Sequence, residues 1–146
     1  MSIKASGTRV DIIRPDHLDR KPLFYHEELM DPETGEVRLA EGFAGALANL
    51  RLAFGKPMVV TSCCRSAAHN LKVGGHSRSL HVYDDPFYDL AGTAAIDIAM
   101  TNAAHAWQLV RLAMLDGWSV GVAMWGVHLD RRDFAGKSPG VFGYGK

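Results

Sequence analysis

The chain has 146 residues, no formal net charge, 47% hydrophobic residues and 22% charged ones. That length suits one domain spanning residues 1–146 with a sizeable core. The lack of excess Lys and Arg excludes a large sequence-independent nucleic-acid footprint. No apolar run reaches the length of a membrane span, and Met1 to Ser6 lacks the apolar stretch of a secretory signal. The expectation is therefore cytoplasmic synthesis with neither a nucleic-acid nor a membrane partner.

In chain order, residues 1–20 read as an irregular lead-in containing Pro15. Asp31-Pro32-Glu33-Thr34-Gly35 has turn chemistry, since Pro presets φ and Gly tolerates positive φ. Leu39, Phe43, Ala46, Leu47, Leu50 and Phe54 recur at helical spacing, and Gly55 then Pro57 end that run. Met58 to Ser62 predicts a strand. Ser66 predicts a cap for a short helix reaching Lys72, which Gly74-Gly75 stops. Thr93 to Met100 predicts another strand, and Thr101 or Asn102 caps a helix to Leu115 that Gly117 terminates. Trp118 to Asp130 carries one or two strands, with Gly121 or Gly126 at a turn or bulge. Residues 135–146 read as a loosely ordered Gly-rich tail. Helices interleaved with short strands predict an α+β fold, with helices packed on a small, mainly antiparallel sheet. The adjacent Cys63 and Cys64 lack CxxC spacing and read as reduced core hydrophobes, not zinc ligands.

Strand alternation singles out three polar residues. In Ala95-Ile96-Asp97-Ile98-Ala99 the isoleucines share one face, and Asp97 takes the other between two alanines. In Gly126-Val127-His128-Leu129-Asp130, His128 and Asp130 share a face opposite Val127 and Leu129. An unpaired Asp in an apolar strand is costly and calls for a partner or a metal. His81 follows the Gly74-Gly75 loop. Two imidazoles and a carboxylate can hold a catalytic Zn²⁺ with one position left for water. Taken singly, each has an ordinary alternative: a surface histidine for His81, or an ion pair on a sheet face for His128 and Asp130.

These residues fall in an ordered set. Ser62-Cys63-Cys64-Arg65-Ser66 follows the strand, and His69-Asn70 comes next. Lys72-Val73-Gly74-Gly75 precedes Ser79-Leu80-His81, and Ala95-Ile96-Asp97 and His128-Leu129-Asp130 complete the series. The set resembles zinc peptidases of the D-alanyl-D-alanine carboxypeptidase, murein endopeptidase and phage endolysin type, the M15-like peptidases. The likeness runs over roughly residues 40 to 133. It departs in a longer spacer, Val82 to Gly92, between the first His and the Asp. It departs again in having no acidic residue shortly before His128, where Met124, Trp125, Gly126 and Val127 stand.

The resemblance implies a hedgehog/D-Ala-D-Ala-peptidase-like fold and Zn²⁺ held by His81, Asp97 and His128. It implies hydrolysis of peptide bonds in peptidoglycan stem peptides or cross-links, cell-wall lysis in a phage or prophage setting after release from the cytoplasm. Asp130 is the candidate acid–base residue, with orientation of His128 or pairing with Arg131 or Arg132 as its other roles. Arg65 is the candidate for holding a substrate carboxylate or developing oxyanion. Ser79 bonds either substrate or, preferably, its own loop. His69 and Asn70 are expected to fasten the turn after Arg65, His76 to stand near the metal loop, and His105 to sit on a helix face. Trp125 is expected to pack in a strand or wall the cleft. Tyr83, Phe87 and Tyr88 form a lid or cover the core edge. The competing expectations are a zinc-containing, non-catalytic binding or structural module, for example in a virion, and a metal-free interaction domain.

Overall fold

The computed structural model describes residues 2–4, 23–76, 78–84 and 90–143. The elements are β1 (Ser2–Lys4), α1 (His26–Leu29), β2 (Glu36–Arg38), α2 (Phe43–Phe54), β3 (Val59–Ser62), α3 (Ala67–Lys72), β4 (Ala95–Ala99), α4 (Ala103–Leu115), β5 (Ser119–Ala123), β6 (Gly126–Asp130) and β7 (Val141–Gly143). A 3-10 turn covers Arg132–Ala135. β1 and β2 form an antiparallel pair. The larger sheet has the order β3-β4-β6-β5-β7, antiparallel throughout except for the parallel pairing of β5 with β7. This is the expected α+β fold, and its parallel edge strand makes the sheet mixed.

The predicted alternation governs which face does what. Ile96, Ile98, Val127, Leu129 and Val120 join one buried cluster with Leu47, Leu50 and Phe54 of α2 and Leu109 and Ala113 of α4. Each fully buried Ile or Leu contributes roughly 1.5–3 kcal/mol, so this packing fixes the register of β4 and β6. The register pairs Asp97 with His128 directly, and a one-residue slip would turn both into the core. The chain after β3 folds back to meet the start of β4. There Arg65 bridges Val82, and Ala94 N–H donates to the Leu80 carbonyl.

Several expectations shift in detail. The helix predicted from Leu39 begins at Phe43. Leu39 is fully buried but bridges Thr93 as extended chain, so its apolar character served a strand-like contact. Between β5 and β6 the turn is Met124-Trp125, which takes Trp125 out of a strand. Gly126 follows at φ 151°, and a Cβ there would lie 2.1 Å from the Ile98 carbonyl oxygen. Only glycine lets β6 come this close to β4.

Ser66 caps α3 by accepting the His69 N–H, and Asn102 caps α4 by accepting the His105 N–H. His105 itself is exposed on α4. The Asp31–Gly35 turn closes with Gly35 N–H donating to the Asp31 carbonyl at 2.7 Å. In the lead-in, Ser2–Lys4 is a strand and residues 5–20 lie outside the described residues. In the tail, Val141–Gly143 is a strand where loose order was expected, because its backbone pairs with Val120 to Val122. Residues 144–146 are outside the described set.

Candidate metal centre

β4, β6 and the loop after α3 each bring one candidate ligand to a single point. One side-chain donor atom each from His81, Asp97 and His128 lies within 4.8 Å of the others, and all three residues are buried. Asp97 Oδ1 is 3.3 Å from His81 Nε2 and 2.8 Å from His128 Nδ1. The two imidazole centroids are 5.4 Å apart.

Hydrogen bonds assign the ring nitrogens. His81 Nδ1 lies 2.6 Å from the Cys63 carbonyl oxygen, which can only accept, so Nδ1 carries the proton. Nε2 then presents a lone pair, and it is buried with no hydrogen-bond partner. A lone pair facing a carboxylate oxygen at 3.3 Å is repulsive unless a cation sits between them. His128 repeats the pattern with its nitrogens exchanged. Nε2 donates to Asp130 Oδ2 at 2.8 Å, which turns Nδ1 toward Asp97. Two nitrogens and a carboxylate oxygen, each held from behind, fit a divalent metal with an open position, and the carboxylate–histidine pair is the usual support of such a ligand.

The electrostatics agree. Burial pushes the His81 pKa down, which favours the neutral form a metal needs. For His128, burial pushes the same way, but Asp130 and then Asp97 outweigh it, and the pKa is raised. Without a metal, the two flanking carboxylates therefore favour the protonated form of His128. Burial alone would raise the Asp97 pKa, yet the hydrogen bond from His128 holds it well below the usual carboxylate range.

Asp130 is buried, and both of its oxygens are engaged. Oδ2 accepts from His128 Nε2 and from Arg132 Nη2 at 2.8 Å, while Oδ1 accepts from Arg132 Nε at 2.9 Å and Arg132 N at 3.0 Å. It lies across the imidazole from Nδ1. That position matches the orienting role the sequence left open, and the pairing is with Arg132. Arg131 instead bonds Asp133 and the Asp116 carbonyl.

Arg65 reaches the centre from the segment after β3. Its guanidinium donates to Ser62 Oγ at 3.0 Å, Asn70 Oδ1 at 3.2 Å and Asp97 Oδ2 at 3.5 Å. Asn70 also donates to the His76 carbonyl, so it ties Arg65 to the loop before His81. A Cβ at Gly75 would crowd Asn70 Oδ1, so a larger residue here would displace the Asn70 side chain from its tie. Ser79 Oγ accepts the His81 N–H, which is the loop-bonding role preferred for it. His69 bonds Glu33 away from the centre.

A cleft of about 760 Å³ opens over these three side chains, its lining including Arg65, His76, Trp125, Lys137 and Phe142. Lys137, Ser138 and Phe142 were absent from the sequence-based site. Their only signal is a short Val141-Phe142 pair set among glycines. Phe142 stands next to Gly121, which stands next to His128, so its ring comes 5.8 Å from the imidazole. Tyr83 is buried, with its hydroxyl 2.8 Å from Thr34 Oγ1, and so covers the core edge. Phe87 and Tyr88 lie outside the described residues. Cys63 and Cys64 are buried free thiols, as expected, and burial pushes the Cys63 thiol up.

Residues 24–130 match the profile of the family described as Peptidase M15. Neither the curated proteins nor the solved structures give a match.

Proposed function

The chain belongs to the Peptidase M15 family, a family of metal-dependent peptidases, and on that membership we propose that it is a zinc peptidase acting on peptidoglycan stem peptides or cross-links. The observation that carries the reading is the unpartnered Nε2 of His81, buried and turned toward Asp97 Oδ1 beside His128 Nδ1. These three side chains would hold the ion. When bound, Zn²⁺ supplies Lewis acidity, which polarises a carbonyl and makes water nucleophilic near neutral pH.

The chain's own groups do the rest. Cys63 and Asp130 engage the far nitrogens of His81 and His128 from behind, so His81 Nε2 and His128 Nδ1 face one point. Three of the Arg65 guanidinium's five N–H donors are engaged among the described residues, and the others suit a substrate carboxylate or the oxyanion that forms as the peptide carbonyl is attacked. Ser79 shapes the loop. Asp130 is assigned to orient His128, in place of proton transfer. The setting is cell-wall lysis after release, as in a phage lysin. No helix among the described residues is long and apolar enough to cross a membrane.

The test is release of new termini from purified peptidoglycan and from a D-Ala-D-Ala peptide, with and without chelator. Hydrolysis that stops on chelation and returns with zinc supports the proposal. A second reading, a zinc-holding module without turnover, draws on the engagement of both Asp130 oxygens and on the lack of an acid among Met124, Trp125, Gly126 and Val127 before His128. Stoichiometric zinc with no hydrolysis of either substrate would select it.

A further inference from the structure

The family match ends at Asp130, yet the chain beyond it reaches back to the metal centre. We propose that Arg132 is a positioning residue for the ligand His128, acting through Asp130, and that Phe142 of β7 holds Arg132 in place. This rests on the zinc-peptidase reading and extends it to the C-terminal segment.

The geometry is a stack of three layers. His128 donates Nε2–H to Asp130 Oδ2 at 2.8 Å. Arg132 grips the same carboxylate side-on, Nε to Oδ1 at 2.9 Å and Nη2 to Oδ2 at 2.8 Å, while its backbone N–H donates to Oδ1 at 3.0 Å. A two-point guanidinium–carboxylate pair sets the plane of the carboxylate as well as its place. That plane in turn sets the direction in which the His128 ring can donate, and hence where Nδ1 aims. The Arg132 guanidinium carbon lies 5.0 Å from the Phe142 ring centroid, the distance of a cation–π contact. The same ring lies 5.8 Å from the His128 ring. β7 therefore touches both ends of the relay and flanks it from the sheet edge.

Asp130 is 2% exposed, so with Arg132 in place its charge is met by protein groups in place of solvent. The Arg132 side chain is 30% exposed, which leaves room for substitution without opening the core. Lys could restore the charge but not the two-point grip.

The experiment measures zinc affinity by chelator competition, the visible spectrum of the Co²⁺-substituted protein, and kcat and KM at saturating zinc. The proteins are wild type, Arg132→Ala, Arg132→Lys and Phe142→Leu, with thermal melting of each. The expected result is zinc binding weakened about 10–100-fold in Arg132→Ala, with an altered Co²⁺ spectrum and most of kcat recovered at saturating zinc with little change in KM. Arg132→Lys and Phe142→Leu should fall between it and wild type. An Arg132→Ala protein with zinc affinity within about twofold of wild type and an unchanged Co²⁺ spectrum overturns the relay. So does loss of affinity in all three variants that only tracks a lowered melting temperature. Wild-type protein that takes up no zinc removes the zinc-peptidase reading itself, and the relay with it.

Discussion

Replacing Asp130 by Asn separates positioning from proton transfer. The change keeps the shape of the side chain but removes its charge. His128 Nε2–H then loses a charged acceptor at 2.8 Å, and Arg132 loses its counter-ion. A hydrogen bond to a charged group contributes about 1.5–3 kcal/mol. At about 1.4 kcal/mol per tenfold, that is a loss in zinc affinity of roughly 10–100-fold, the range typical for ligands behind a metal site. Because Asp130 sits behind His128, excess zinc should restore most of the turnover. The assay is zinc titration against a chromophoric chelator, followed by peptide hydrolysis at saturating zinc. A variant that binds zinc like wild type but has lost about a thousandfold or more in kcat, within the range ascribed to general acid–base catalysis, would refute the reasoning and make Asp130 the acid–base residue.

Other outcomes follow from the same geometry. His128→Ala should retain no zinc after dialysis and show no hydrolysis above background, while circular dichroism still reports a folded sheet. Gly126→Ala should destabilise the protein, since its Cβ would meet the Ile98 carbonyl oxygen and the backbone is at φ 151°. About 1–3 kcal/mol of strain is expected, readable as a lower denaturation midpoint. Zinc must displace the proton that Asp130 and Asp97 favour on His128. Its affinity should therefore fall about tenfold per pH unit below the raised pKa and level off above it, measured as the apparent Kd from pH 5 to 9. In the metal-free protein that raised pKa stabilises the fold fully below about pH 6.5, and the contribution fades as pH rises through the folded value. Urea midpoints of the apo protein against pH check that sign, together with the opposing effect of His81, whose lowered pKa costs stability in acid.

The convergence of the candidate ligands was legible because β4 and β6 alternate strictly. Apolar Ile96, Ile98, Val127 and Leu129 assign one face to the core, and Asp97 and His128 can only take the other. His81 was legible from its Ser79 and its glycine loop. The end of that loop was harder to read: Val82 and Tyr83 looked like the start of an insertion, but both are buried, and Val82 pairs with Arg65. Contacts distant in sequence leave no periodic trace, so the Cys63 carbonyl behind His81 could not be foreseen, whereas the fastening expected of Asn70 is local and is seen in its bonds to Arg65 and the His76 carbonyl. β7 was hidden for another reason. Three residues give too little pattern, and neighbouring glycines at 136, 140 and 143 suggested a loose end. The backbone groups of β5 supply the order that composition did not.

The account rests on one ion held by His81, Asp97 and His128, and X-ray absorption at the zinc edge of the purified, untagged protein tests it most directly. One zinc per chain with two imidazole nitrogens and carboxylate oxygen in its first coordination sphere, lost in Asp97→Ala, is the predicted result. Protein without stoichiometric metal, or with metal whose ligands survive Asp97→Ala, would contradict it.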